Sequence, residues 1–249
     1  MTDLSTPELA GVAAAITLGY TVFGFGGFGA NLVALPLLAH VMTIRFAVPM
    51  LMVLDLFSAT LMGLKNRPLI EKGELLRLLP WLLLGMMLGV PVLQHAREAW
   101  LLTLLGAFVL SYSLWSLLGH ASPAPVSPRW SLPAGLAGGI FSTMFGTGGP
   151  IYTLYLARRI PDTSRLRATI GALILGSAIV RLALFTGGGF FAQPGLLKLA
   201  LVLVPCAMLG YVIGSRLHAR LPQAQVRKVI WGLLVVSGGS LLVRGIGAA

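Results

Sequence analysis

From Leu9 to Ile44 the chain carries not one Asp, Glu, Lys or Arg, and long apolar runs recur along its whole length. They fall at about 8–42, 46–64, 78–94, 99–119, 131–157, 168–186, 199–215 and 228–243. A helix needs roughly 20 mostly apolar residues to cross a hydrocarbon core, so these runs fix the solvent before they fix the fold. That solvent is a bilayer. Apolar residues make up 57% of the 249, charged residues 10%, and mean hydropathy is +0.90. This is more apolar side chain than the polar surface of a soluble domain could cover. Continuous Leu, Ala, Val and Gly runs are unlike the short alternating segments of membrane strands. The expectation is an all-α integral membrane protein.

Two of the runs are interrupted by glycine knots. Phe23-Gly24-Phe25-Gly26-Gly27-Phe28-Gly29 divides the first, and Phe145-Gly146-Thr147-Gly148-Gly149-Pro150 divides the fifth. A shift of 122 residues (24 to 146) superposes Gly24, Gly26 and Gly27 on Gly146, Gly148 and Gly149, and lays Arg45 on Arg167. A shift of 125 (80 to 205) lays Pro80, Gly85 and Gly89 on Pro205, Gly210 and Gly214. The chain thus reads as a duplicated unit, with repeats at about 8–119 and 131–246 joined by the Pro/Ser-rich linker 120–130, all within one membrane domain spanning 1–249.

Gly24-x-Gly26-x-x-Gly29 also spells a dinucleotide fingerprint, but that motif requires a preceding strand, and an apolar helical run stands there. Gly63, Gly85, Gly89, Gly106, Gly171, Gly176, Gly210 and Gly214 read as close-packing positions. The knots are denser than packing needs. Unsatisfied backbone is tolerated at membrane depth only where it is buried in protein or lines a cavity. Gly26, Gly27, Phe28, Gly29, Thr147, Gly148, Gly149 and Pro150 are therefore expected to line one, offering N–H groups at helix ends to an anion.

Loop charge decides how the knot runs lie. If all eight runs cross once, the lysines and arginines outside the membrane divide 10 against 7, which is no bias. If the two knot runs enter and leave by the same face, 13 fall on one side and four (Arg45, Arg97, Lys198 and Arg244) on the other. The second arrangement obeys the positive-inside rule. Each half then has three true crossings, an odd number, so the halves lie in opposite senses. The expected fold is two inverted four-segment repeats, each a glycine-broken re-entrant hairpin plus three transmembrane helices, with a midplane site as in secondary transporters. Both termini fall on the periplasmic side, and the basic loops at 65–77 and 216–228 on the cytoplasmic side. Met1–Glu8 holds two acids and no basic residue, unlike the start of a cleaved signal peptide. Trp100, Trp130 and Trp231 stand at run starts, as an aromatic belt would place them.

Asp55 lies near the middle of its run and Arg181 inside the counterpart run. A charge at the helix centre costs on the order of 3 kcal/mol, so such residues face the interior and pair or serve function. Under the 122 shift Asp55 falls opposite Ser177 and Arg181 opposite Ala59, about one helical turn apart on equivalent helices. A structural ion pair and a substrate or proton role both remain open. Arg45 and Arg167 recur at one distance from the knots. Each reads either as a snorkelling interfacial arginine or as an entrance clamp for an anion.

The remaining features narrow the function. The net charge of +11 lies in short connections between apolar runs rather than on a face for nucleic acid, and the lone Cys206 allows no intrachain disulfide. Neither knot continues into Gly-Lys-Ser/Thr, so ATP drive within the chain is not expected. His40, His95, His120 and His218 lack zinc-site spacing. Seven acids, one of them intramembrane, supply no carboxylate pair. An enzyme is disfavoured, and neither cofactor nor metal is expected.

Gly24-Phe-Gly-Gly-Phe-Gly followed by Ala34-Leu-Pro-Leu-Leu38, with Gly146-Thr-Gly-Gly-Pro-Ile-Tyr152 and Arg165-Leu-Arg-Ala-Thr169, resembles the TauE/SafE family of membrane permeases. The resemblance covers nearly the whole chain. It implies a secondary transporter of the bacterial inner membrane, exporting sulfite or a small organosulfonate such as sulfoacetate by alternating access. Many members have three consecutive glycines where this chain has Phe28 and Pro150, a departure at the expected site. The partners expected are a small anion, the bilayer, a coupling proton and a second copy of the chain; nucleic acid is not among them. A passive anion channel, an uptake carrier for another small organic anion, and a membrane assembly subunit stand as rivals.

Overall fold

A computed structural model describes residues 5–26, 29–63, 67–118, 125–220 and 223–247, without the side chains of 58–63, 67, 218–220 and 223–229. Gly27 and Phe28 of the first knot, Lys65, His120 and the linker positions 119–124 lie outside the described residues. Ten α-helices account for most of the rest. They are α1 (Thr6–Gly26), α2 (Ala30–Leu38), α3 (Ile44–Gly63), α4 (Lys72–His95), α5 (Glu98–Leu117), α6 (Ser131–Phe145), α7 (Gly148–Leu156), α8 (Thr163–Gly187), α9 (Leu196–Arg220) and α10 (Gln223–Gly247).

Each knot breaks its run into a longer helix and a nine-residue one, α1 with α2 and α6 with α7. Nine residues rise only about 14 Å, less than half a hydrocarbon core. Among the described residues, α1, α4, α5, α8, α9 and α10 are long and apolar enough to cross a membrane. The sequence reading expected α1 to be half of a hairpin; at 21 residues it has the length to cross alone. Only 28% to 39% of each crossing segment is buried within the protein. The outward faces stay apolar, with Met87, Leu201, Val236 and Val243 all more than half exposed. An apolar exterior on this scale is stable against lipid, not water. The chain is a multi-pass helical membrane protein.

The same helix pairing is made twice. Gly85 and Gly89 of α4 press on the backbone of α6 at Leu136 and Ile140, and Gly210 and Gly214 of α9 press on α1 at Thr17 and Thr21. A Cβ at any of the four would meet a carbonyl oxygen of the partner helix. This is the close approach that small residues permit. In both pairs the contacts advance in the same direction along the two helices, so α6 lies parallel to α4 and α1 parallel to α9. By contrast α5 and α10 pack antiparallel, Gly106 against Gly238 and Leu242, and Gly245 against Thr103. Gly171 and Gly176, expected to pack, meet nothing within 4 Å of a Cβ position. Gly24 is a packing glycine instead, lying on Tyr211 and Ser215 of α9. The equivalent contacts set α1 on α6 with a shift of 119 residues (17 to 136, 21 to 140), one helical turn short of the shift that superposes the glycines of the two knots.

Polar contacts define the two ends of the bundle. At one end, Glu74 near the start of α4 accepts from the Tyr155 hydroxyl of α7 (2.6 Å), from Arg159 Nη2 (2.8 Å) and from Arg77 (2.7 Å), while Arg159 also donates to the Val126 carbonyl (3.2 Å). The Glu71 backbone N–H donates to Thr169 of α8 there as well. At the opposite end, Glu98 caps the start of α3 by accepting from the Ile44 N–H (2.6 Å), and Arg244 of α10 donates to the Ala39 carbonyl just after α2. Pro49 cannot donate to the Arg45 carbonyl one turn back. Gln193 supplies the missing donor at 3.0 Å. With the parallel pairings, these contacts return α2 towards the end where α1 begins, and α7 towards the end where α6 begins.

Trp100 and Trp130 are 68% and 60% exposed, but Trp231 is buried, set edge-on to Tyr112 with ring centroids 5.3 Å apart. Its position at the start of a run reflected core packing rather than an aromatic belt.

Candidate functional site

The two helix breaks meet at one small cavity of about 40 Å3. Gly29, Ala30 and Asn31 reach it from the first break, and Gly146, Thr147, Gly149 and Pro150 from the second; Asp55 of α3, Ser142 of α6, and Ser177 and Arg181 of α8 complete much of the wall. Both short helices begin here, so the first-turn N–H groups of α2 and α7, which have no intrahelical partner, lie at the cavity.

Local sequence explains the second break. Gly146 takes φ +68°, in the left-handed region, and the N–H groups of Gly146 and Thr147 turn back to the carbonyls of Ser142 and Phe141, closing α6. A side chain is excluded there for a second reason: a Cβ would strike Asn31 Nδ2 and come within 2.8 Å of Arg181 Nη1. Gly29, at φ +95°, precedes α2 in the same region of backbone space. Thr147 occupies the N-cap of α7, where a threonine hydroxyl ordinarily accepts from the first turn. Here it makes no cap bond, is buried, and its Oγ1 has no partner.

Asp55 is the hub of the polar network. Its carboxylate accepts from the Tyr20 hydroxyl (2.8 Å), Asn31 Nδ2 (2.7 Å) and Arg181 Nη2 (3.2 Å). Arg181, 3% exposed, also donates from Nη1 to the Ser142 carbonyl (3.1 Å), and Asn31 Nδ2 lies 3.3 Å from the Gly146 carbonyl. Five helices, α1, α2, α3, α6 and α8, and both breaks are joined through one ion pair. Three groups remain unsatisfied: Arg181 Nε, Thr147 Oγ1 and Asn31 Oδ1 are buried without a hydrogen-bond partner. Buried polar atoms are almost always partnered. An unpartnered guanidinium N–H and hydroxyl beside two helix N-termini are what a small oxyanion would satisfy.

The structure distributes the expected site residues unevenly. Gly29, Thr147, Gly149, Pro150, Asp55 and Arg181 line the cavity. Gly26 does not, and a Cβ there meets nothing within 4 Å. Gly148 lies tight against Gly138, Ser142 and the Tyr152 hydroxyl. Arg45 is at the end of the bundle where α4 finishes, donating to the Leu93 carbonyl in its last turn (3.1 Å) and to that of Ala96 just beyond it. Arg167 is exposed on the first turns of α8. Sequence reasoning passed over Tyr20, Asn31 and Ser142. Asn31 carried a usable signal, being an amide in a run without a charge, where polar side chains bridge helices.

Fold and site together define a polytopic helical membrane protein organised around a buried, charged cavity at paired helix breaks, the build of a solute transporter. The family described as sulfite exporter TauE/SafE matches residues 12–241. The chain belongs to that family. It is 28% identical over 194 residues to the probable inner membrane transporter protein TsaS of Comamonas testosteroni, covering 77% of this chain and 81% of that one. It is 27% identical over 170 residues to the probable sulfite/organosulfonate exporter TauE of Cupriavidus necator, covering 66% of this chain and 65% of that one. No solved structure matches the chain.

Proposed function

We propose that the protein is a secondary transporter of the bacterial inner membrane that exports a small sulfur oxyanion, sulfite or a short organosulfonate, by alternating access around the Asp55–Arg181 cavity. One observation carries the reading: a deeply buried arginine with an unpartnered Nε stands beside the uncommitted Thr147 hydroxyl where α2 and α7 begin. A pyramidal or tetrahedral oxyanion can take these two side-chain donors together with backbone N–H groups at the helix starts. The family description and the name of the Cupriavidus necator relative point to the same chemistry.

Each half is read as a re-entrant hairpin plus three crossings, and the halves as inverted. The parallel pairings of α1 with α9 and α6 with α4, together with the return of α2 and α7, support this. The end that holds Lys72, Arg77, Arg129, Arg158, Arg159 and Arg165 is then cytoplasmic, and both termini are periplasmic. Movement of the hairpins against α4 and α9 would open the cavity to one side at a time.

The test is uptake into proteoliposomes of radiolabelled sulfite, sulfoacetate, sulfate and small carboxylates. Sulfite or sulfoacetate should enter, be accelerated by the same anion on the far side, and lose saturable uptake in Arg181→Gln. Uptake without such acceleration identifies a channel. A wild-type rate unchanged by Arg181→Gln removes the cavity as the site.

A further inference from the structure

The cavity holds one cation and one anion, and this balance bears on what must accompany the substrate. Asp55 already sits as an anion on the donors described above, sharing Arg181 and facing the same two helix N-termini. A substrate anion arriving at Arg181 would leave two negative charges against one positive in a buried site. Unpaired charge in such surroundings is strongly unfavourable. Around Asp55 the charged or titratable groups among the described residues are Tyr20 from α1, Tyr152 from α7 and Arg181 from α8, and α2 contributes the neutral amide of Asn31. Among the described residues no second cation lines the cavity.

We propose that the substrate anion and a proton are carried together, the proton on the carboxylate of Asp55. This rests on the transport reading above. The anion takes the Arg181 guanidinium, and Asp55 accepts a proton on the oxygen that Arg181 gives up. Asn31 and Tyr20 hold the carboxyl in place throughout. The empty site, with Asp55 ionised on Arg181, is neutral. The loaded site, with protonated Asp55, Arg181 and a monoanion, is neutral too. The moving part of the protein thus never carries net charge through the low-dielectric core, and transport of a monoanion is electroneutral. Direction follows the substrate and pH gradients rather than the membrane potential.

The probe is radiolabelled methanesulfonate, a monoanion with no titrating group of its own. Proteoliposomes holding the wild-type protein are given either an inwardly directed acid gradient at zero potential, or a valinomycin-imposed potassium potential at equal pH. The acid gradient should raise initial uptake several-fold and the potential should leave it unchanged. Asp55→Asn keeps the shape but cannot take the proton; its site alternates between a net positive charge and neutrality. Its uptake should lose the response to pH and gain one to potential. Wild-type uptake driven by potential and indifferent to the acid gradient overturns the coupling while leaving the anion site standing. Absence of saturable methanesulfonate uptake under both gradients overturns the site and the coupling with it. Should Asp55→Asn not fold, the wild-type comparison decides alone.

Discussion

Gly146→Ala is the sharpest perturbation of the site, because it adds one methyl group at the point where the two halves touch. The alanine must hold φ near +68°, which costs about 1 to 2 kcal/mol for a residue with a Cβ. Its methyl would also occupy the position of Asn31 Nδ2 and crowd Arg181 Nη1. One or both must withdraw from Asp55, and a hydrogen bond to a charged group is worth about 1.5 to 3 kcal/mol. Together the loss is about 3 to 5 kcal/mol, or roughly 10 °C in melting temperature for a chain of this length. The assay is thermal unfolding of the detergent-purified protein, followed through tryptophan fluorescence, with methanesulfonate binding measured on the same samples. Gly176→Ala is the matched control: it lies inside α8, where a Cβ meets nothing within 4 Å. It should be neutral or slightly stabilising, since alanine is the better helix former. If Gly146→Ala melts with Gly176→Ala and binds as wild type, the contact between the breaks has no part in stability or function.

Two further outcomes are expected. A reporter active only in the cytoplasm should stay dark when fused at the C-terminus and light up when fused within the segment 157–162; the reverse pattern excludes the assigned orientation. Arg45→Gln should lower stability by about 1 to 3 kcal/mol, through loss of charged donors to the Leu93 and Ala96 carbonyls at the end of α4, and Arg167→Gln by little. Neither should change methanesulfonate affinity, and a tenfold loss in either would restore the arginines to the site.

The sequence announced the bilayer, the helical class and the two breaks, because each depends on composition over a long window or on glycines crowded beyond packing need. It also singled out Asp55 and Arg181, since two opposite charges in apolar runs have few alternatives to meeting. It misjudged register. The shift that superposes the knot glycines differs by three residues from the one that superposes the packing of α1 and α6, because Gly24 serves helix contact while Gly146 serves the break. Arg45 and Arg167, which recur at one distance from the knots, stand in different environments, Arg45 bonded to carbonyls at the end of α4 and Arg167 exposed on α8. Gly171 and Gly176 could not be told from Gly85 and Gly89 without knowing which face of α8 looks outward. The cluster of Tyr155 and Arg159 on Glu74 joins positions far apart in the chain and has no local pattern to betray it.

The exchange of partners between halves has a consequence for synthesis. α1 leaves the ribosome first, yet the surface that Thr17 and Thr21 require is on α9, which emerges only after most of the chain has been made. α6 finds α4 waiting in the bilayer. The amino-terminal helix can lean on α2 through Gly19 and reach α3 through Tyr20 early, but its α9-facing side stays bare for most of translation. The protein must reach its last quarter before the packing of its first helix is complete, so a nascent chain stalled midway leaves the cell with an unfinished surface rather than half a transporter.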